Sequence, residues 1–402
     1  MDLYSGLPYW IAKNPLYNYF NPLESDQTTE VAIIGSGITG ALVAHELCEQ
    51  GLECTIIDKR NIGTGSSTAS TALLQYEIDT PLSKLIEDMD EELAVLAYES
   101  CLQSITDIEK VFHSIDYNPD FLRIPSLFYA SDKDGEELIG KEFEVRKKHK
   151  LPVTYLDKKE LFNKYGIKAP AALENYASAQ MDAYAGSTHL IRHHMKKNNL
   201  TVFTHTEVTG CKETDNGYEV ETAKGDKISC RYVVIAAGFE AGTFLPEPVM
   251  KLTSTYAILS EPIHEKYVWT DKSLIWETAE PYLYIRTASG NRILIGGEDE
   301  DFRDPVQRDK LLRKKTETLE KKFKKLFPGI PFKTDMAWCG TFSSTKDGLP
   351  YIGSRKENEH KYYALGYGGN GITFSMVAAQ VIRNKIEGKE DKREKVFGFG
   401  RK

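Results

Sequence analysis

The chain has 402 residues, 41% of them hydrophobic, which is enough for two or three domains with a sizeable core. Its 51 Lys and Arg against 59 Asp and Glu give a net charge of −8 with no long block of either sign, so nucleic acid is disfavoured as a partner. The six cysteines are scattered and form no C-x-x-C, and neither a signal-like leader nor a membrane-length apolar run is present; these features exclude a disulfide framework and a membrane span and predict a cytoplasmic protein with no metal site.

Residues 1–29 are rich in aromatics and proline, among them Tyr4, Tyr9, Trp10, Tyr17, Tyr19 and Phe20, and predict an arm packed on the body. The stretch Glu30 to Arg60 follows. An apolar run from Val31 to Ile34 predicts a buried parallel strand. It runs into Gly35-Ser36-Gly37-Ile38-Thr39-Gly40, a G-x-G-x-x-G, and then a helical pattern stopped by Gly51. A second apolar run, Cys54 to Ile57, ends at Asp58, 23 residues after Gly35. This is a complete βαβ dinucleotide fingerprint. Gly35 permits the turn, Gly37 clears room for a pyrophosphate, Gly40 lets helix and strand approach, and Asp58 can accept from ribose hydroxyls. The helix N-terminus offers N–H groups and a positive dipole end.

Asn61 to Ala72 is small, polar and flexible in composition, and it sits at the carboxyl end of a parallel strand, where ligands bind in such folds. A long helical pattern over 81–115 starts a second domain. A strand over Phe121–Ala130, a charged helix over 136–150 and a short strand over 151–155 come next. A helix over Thr188–Asn199 carries His189 and His193 at i, i+4; the neighbouring Arg192, Lys196 and Lys197 favour a solvated basic face over a metal pair. A meander over 208–230 precedes a buried strand ending Ala236-Ala237-Gly238. Residues 251–300 are strand-rich, and Tyr282, Tyr284 and Arg286 fall on one face at period two. A charged helix over 304–327 and a last strand, Met336–Phe342, lead into Thr345-Lys346-Asp347-Gly348.

Gly366-Tyr367-Gly368-Gly369-Asn370-Gly371 is a second G-x-G-x-x-G between strand and helix. The charged tail Glu387–Lys395 replaces the apolar strand and acid that a second nucleotide unit needs. The cluster therefore reads as a bared helix N-terminus that stabilises negative charge on a bound ring.

These features together resemble the D-amino-acid oxidase and glycine oxidase superfamily of FAD enzymes. The likeness rests on the fingerprint Gly35–Asp58, on Gln180-Met181-Asp182, on Ala236-Ala237-Gly238, and on Thr345–Gly353 with Gly368–Ile372. It implies an α/β fold: a Rossmann-type FAD-binding domain built from separated segments (1–85, 181–250 and 343–402), and an α+β substrate domain with a large mixed or antiparallel sheet (86–180 and 251–342). It implies that Gly35, Ser36, Gly37, Ile38, Thr39 and Gly40 hold the FAD pyrophosphate. Asp58 and Lys59 would serve the adenosine, Ser66, Ser67 and Thr68 the phosphate and ribityl chain, and Val208, Ala237 and Gly238 the adenine half. Gly368, Gly369, Asn370, Gly371 and Ile372 would face the flavin. Ser66–Ala72 has no His or Cys, and Cys339 is one position off a linking cysteine, so FAD is expected to be non-covalent.

The departure from the family lies at Phe342, where the arginine that clamps a substrate carboxylate is expected. Arg286 either replaces it or is structural. Tyr282, Tyr284 and Lys346 complete the candidate catalytic set; Lys346 either assists an electron acceptor such as oxygen or holds its loop. The activity implied is hydride transfer from the C–N bond of a small amine or amino acid to flavin N5. The alternatives are oxidation of a hydroxy acid or polyol C–O bond, and a flavin-binding partner protein without turnover.

Overall fold

The structure, a computed structural model, describes residues 2–15, 20–302 and 304–401. Tyr17 and Tyr19 of the predicted arm lie outside the described residues. Among the described residues the chain builds an eight-stranded sheet, a nine-stranded sheet and a small three-stranded one.

The eight-stranded sheet is centred on the fingerprint. Strand Gln27–Ile34 lies parallel between Cys54–Ile57 and Lys227–Ile235; Leu200–Phe203 extends one side, and Asn358–Leu365 also pairs in parallel with Lys227–Ile235. The meander Val208–Thr214, Gly217–Thr222 and Lys227–Ile235 is antiparallel, as its turn residues predict. Apolar runs without polar alternation suit strands covered on both faces. Val31 and Ile33 enter the core shared with helices Ile38–Cys48 and Gly371–Ile386, and Ala32 and Ile34 enter a second cluster with Tyr218 and Val220.

The nine-stranded sheet runs in the order Tyr4–Gly6, Thr334–Ser344, Lys251–Ser260, Arg292–Glu300, Tyr284–Ala288, Leu274–Glu277, Ser126–Tyr129, Ala171–Asn175, Thr154–Asp157. It is antiparallel except where Leu274–Glu277 meets Ser126–Tyr129. Strand alternation sorts its side chains. Tyr256, Ile275, Ile285 and Cys339 pack with Leu319 and Phe323 of helix Pro305–Leu326. Thr255, Trp276, Tyr284 and Phe342 occupy the other face, which lines a cavity. The N-terminal arm is part of this architecture: Tyr4–Gly6 forms the sheet edge, and Trp10 is 1% exposed.

Two elements differ from the sequence reading. The strand expected over Phe121–Ala130 is broken before Pro125 and divided between Leu122–Arg123 and Ser126–Tyr129, which join different sheets; the residue before a proline is restricted, and the chain turns there. The long helical pattern breaks at Met89–Asp90 into Leu82–Asp88 and Glu91–Ser114, because the Asp90 carboxylate accepts the Glu92 and Leu93 N–H groups as a cap. Helix Glu91–Ser114 also packs against Gly371–Ile386 and shares the core of the nucleotide half.

Helices Ile38–Cys48 and Ala183–Lys196 meet through a buried pair, His45 Nδ1 and His194 Nε2, 3.0 Å apart. With Glu49 these are the one metal-type group among the described residues, rather than His189 and His193. His189 instead stacks on Tyr117, and Lys197 holds Glu49 at 2.9 Å. Burial pushes both imidazoles of the pair down to about 4; the neighbouring Glu49 raises them, while His193 and Lys197 add to the depression. The unfolded chain therefore takes up these protons first on acidification. The stability the pair confers is complete above the ordinary histidine value and is lost as pH falls towards 4. Thermal unfolding of His194→Gln beside the parent is expected to show the parent losing on the order of 2 kcal/mol more between about pH 6.5 and 4. Parallel pH profiles would contradict this.

Candidate functional site

A cavity of about 460 Å³ is lined by residues of both large sheets. One end is the glycine loop. Gly35 has a φ of +111°, and a Cβ there would stand 2.4 Å from the Ala236 carbonyl oxygen. A Cβ on Gly40 would stand 1.9 Å from the Gly35 carbonyl oxygen, so helix Ile38–Cys48 lies directly against the loop. Gly35, Gly37, Ile38 and Thr39 line the cavity, whereas Gly40 acts by packing. Ser36 is buried and donates to Asp58 Oδ2 through its N–H at 2.8 Å and its hydroxyl at 2.7 Å. Asp58 Oδ1 accepts the Arg60 N–H at 2.8 Å. Burial pushes the Asp58 carboxyl up, against the pull of these donors. The N-cap residue of helix Ile38–Cys48, Gly37, brings no capping side chain, and the Ile38 N–H donates to the Ser67 hydroxyl oxygen at 3.0 Å.

Lys59, Val208, Ala237 and Gly238 line the same end. Arg60 and Lys59 each reach Glu240 at 2.8 Å. Burial opposes the Glu240 charge, but the two cations hold its carboxyl down at about 2.

Ser66 and Ser67 line the cavity, while Thr68 is buried with its hydroxyl donating to the Gly65 carbonyl at 2.8 Å. The segment is tied to remote parts of the chain through its backbone. Trp338 Nε1 donates to the Ala69 carbonyl at 2.9 Å and Trp10 Nε1 to the Ser70 carbonyl at 2.7 Å. Arg286 Nη1 donates to the Thr71 and Ala72 carbonyls, both at 2.8 Å, and to Met181 at 3.2 Å. Four successive carbonyls are thus fixed by the arm and the nine-stranded sheet.

Arg286 is therefore a brace, and the structure does not bring it to the cavity as a carboxylate clamp. It is 2% exposed, lies under the Trp10 ring at 5.4 Å, and is pushed down to about 10 by burial. Lys346 is likewise outside the cavity, with an exposed side chain. The anchor of its loop is Asp347, held by Arg401 at 2.7 and 3.0 Å.

Helix Gly371–Ile386 begins at the other end of the cavity, which Gly368, Gly369, Asn370, Gly371 and Ile372 line. It too has no side-chain cap, since the Asn370 amide donates to the Gln75 and Glu77 carbonyls at 3.1 and 2.8 Å. Thr39 and Ser375 hydroxyls, 2.8 Å apart, join the two helices near their first turns. Asp79 accepts the Gly369 N–H at 2.7 Å and the Tyr282 hydroxyl at 3.1 Å. A Cβ on Gly368 or Gly369 would stand 2.4 or 2.6 Å from the Asp79 carboxylate oxygens, so these glycines make room for it. Trp276, Tyr282, Tyr284, Thr255 and Phe342 wall this end. Burial raises the Asp299 carboxyl beside them to about 6, with Thr255 opposing and Asp79 reinforcing the shift.

Two helix N-termini whose N-cap residues bring no side-chain cap open on one cavity; with the Gly35 loop and Asp58 at one end and glycine-bared backbone at the other, they fit a dinucleotide carrying a ring able to hold negative charge. The sequence model described as DAO, FAD dependent oxidoreductase, matches residues 30–384. The chain belongs to this family of FAD-dependent oxidoreductases. The enzyme is similar to gamma-glutamylputrescine oxidoreductase of Escherichia coli, at 26% identity over 399 residues, covering 94% of this chain and 88% of the relative. It is also similar to glycine oxidase of Bacillus subtilis, at 23% over 385 residues, covering 92% and 96%. The crystal structure of glycine oxidase from Geobacillus kaustophilus shares its fold, with a TM-score of 0.78 at 20% identity over 94% of this chain and 99% of the other. The enzyme's cofactor is FAD. Among the described residues, no helix is long and apolar enough to cross a membrane.

Sequence reasoning missed Asp79, Trp276 and Asp299. A signal for the first was present: Gln75, Glu77 and Asp79 alternate at period two, and all three line the cavity, while Tyr76 and Ile78 are buried in the core.

Proposed function

We propose that the enzyme oxidises the C–N bond of a small amine or amino acid, and that the charge layout of the cavity carries this reading. Among the described residues the cations lining it are Lys59 and Arg60, both at the fingerprint end and both held by Glu240. The sheet end offers Asp79, aromatic rings and hydroxyls. A hydroxy acid or phosphorylated polyol would bring only an anion to that end and find no cation among the described residues, whereas the ammonium group of an amine or amino acid brings a compatible charge. Two relatives, named as gamma-glutamylputrescine oxidoreductase and glycine oxidase, support a nitrogen-bearing substrate.

In this reading Gly35, Gly37 and the first turn of Ile38–Cys48 hold the FAD pyrophosphate, Asp58 the ribose, and Gly369–Ile372 the ring edge. No Cys or His among the described residues lines the cavity, and Cys339 faces the opposite side of its sheet, which supports a non-covalent cofactor. Bound FAD supplies the hydride acceptor at its N5. The chain's own part is positioning. Asp79 orients the Tyr282 hydroxyl, and Thr255 Oγ1 stands 3.4 Å from that of Tyr284, which gives two directed hydroxyls for the substrate nitrogen. The Asp79 carboxylate takes the ammonium proton, directly or through Tyr282, so that the nitrogen lone pair is free when the C–H bond breaks. The aromatic wall keeps water from the reacting carbon. The imine product then hydrolyses in water, with oxygen or another electron acceptor completing turnover and the cytoplasm as the setting.

Anaerobic mixing of the yellow protein with paired donors tests the reading. Primary and secondary amines are expected to bleach the flavin band and the matching hydroxy acids to leave it. Bleaching by hydroxy acids alone would replace C–N oxidation with C–O oxidation.

A further inference from the structure

We propose that the sheet end of the cavity is a cation cage that selects an alkylammonium group without a neighbouring carboxylate. This rests on the C–N reading and narrows it to amines as opposed to amino acids.

Two sets of groups build the cage. Trp276, Tyr282, Tyr284 and Phe342 form its aromatic wall. Trp276 is fixed by stacking on Phe128, with ring centroids 3.8 Å apart and planes at 16°, and its centroid lies 6.0 Å from that of Tyr282. Tyr282 and Tyr284 follow at 5.8 Å. A cation within about 6 Å of the face of such a ring is attracted to it.

The second set is carboxyl groups. Asp79 lines the cavity; Asp299, on strand Arg292–Glu300 beside Tyr284–Ala288, does not line it but bears electrostatically on Tyr282 and Tyr284. Asp299 Oδ1 is buried without a hydrogen-bond partner. Glu77 lines the same cavity, is 4% exposed, and leaves Oε2 without a partner. The cations beside these groups are each shared between carboxylates. Arg146 holds Glu142 at 2.7 Å and stands 3.6 Å from Glu77; Lys315 holds Glu300 at 2.6 Å and Glu298 at 3.3 Å. Among the described residues these carboxyl groups therefore outnumber the cations beside them, and a bound ammonium supplies a balancing charge.

The same layout rejects a carboxylate on the substrate. Phe342 occupies the position of the expected clamp, Arg286 gives its Nη1 to three carbonyls, and Lys346 lies outside the cavity. A zwitterionic amino acid would place its anion among aromatic rings and like charges.

The test uses the FAD-loaded full chain and three matched ligands that carry no oxidisable C–H next to nitrogen: tert-butylamine, 2-aminoisobutyrate and pivalate. Binding is read by calorimetry and by perturbation of the flavin spectrum, so no turnover is needed. Tert-butylammonium is expected to bind at least about tenfold more tightly than 2-aminoisobutyrate, with pivalate weakest. Asp299→Asn and Trp276→Leu, checked for bound flavin, are each expected to weaken the amine about tenfold, with Asp299→Glu restoring part of it. Should a variant fail to fold, the ranking of the three ligands on the parent protein decides alone. Equal or tighter binding of 2-aminoisobutyrate, failure of tert-butylamine to bind, or unchanged affinity in both variants overturns the cage. If amino acids then bleach the flavin, C–N oxidation stands without the cage. If the amine binds but hydroxy acids alone bleach, the cage stands and C–N oxidation falls.

Discussion

Gly40→Ala is expected to yield a protein that folds but is nearly colourless. The added Cβ would meet the Gly35 carbonyl oxygen at 1.9 Å, and that atom belongs to the backbone of the tight turn, so no side-chain rotation relieves the clash. Helix Ile38–Cys48 must move off the loop, at a cost of about 1–3 kcal/mol. Its first-turn N–H groups then no longer point to the place the pyrophosphate needs. Flavin per polypeptide, read from visible absorbance, is expected to fall below about a tenth of the parent value while far-ultraviolet circular dichroism keeps its shape. Gly140→Ala is the matched control: a Cβ there meets nothing within 4 Å, and its helix, Lys133–Lys148, gains propensity. A fully yellow Gly40→Ala protein would show that the fingerprint does not hold the cofactor.

Arg286→Met is expected to destabilise the protein by about 3–5 kcal/mol and to lower its flavin content. The variant leaves the Thr71, Ala72 and Met181 carbonyls without their donor and removes the cation from the Trp10 ring. The Ser66–Ala72 segment that lines the cavity is then loose at its second half. Chemical denaturation measures the loss, and Arg286→Lys recovers only a fraction, because one ammonium cannot reproduce the guanidinium fork. A carboxylate clamp would behave differently: stability and flavin content would stay level, and only carboxylate-bearing ligands would bind more weakly.

The contrast between these two residues shows what a sequence can reveal. Gly35 to Asp58 is a local device, with turn, helix start and acid within one βαβ unit, and its chemistry can be read without knowing the rest of the fold. The second glycine cluster was legible for the same reason. Arg286 was not. Its place on the face of Tyr284 follows from strand alternation, but that face extends past the cavity to Trp10, and only the docking of the N-terminal arm settles what the guanidinium meets. The Ser66–Ala72 segment reads as flexible because its composition is small and polar, but Trp10, Arg286 and Trp338, remote in sequence, donate hydrogen bonds to its carbonyls. Asp79 carried a visible alternation, but its meaning depended on Gly369 in the last part of the chain.

The most direct measurement of the central claim is a single anaerobic turnover of the FAD-loaded protein with a primary amine, followed by quantification of flavin reduced, carbonyl formed and ammonia released. One equivalent of carbonyl and one of ammonia per flavin reduced is the result predicted for C–N oxidation. Flavin that stays oxidised with every amine, or is reduced without ammonia release, would contradict it.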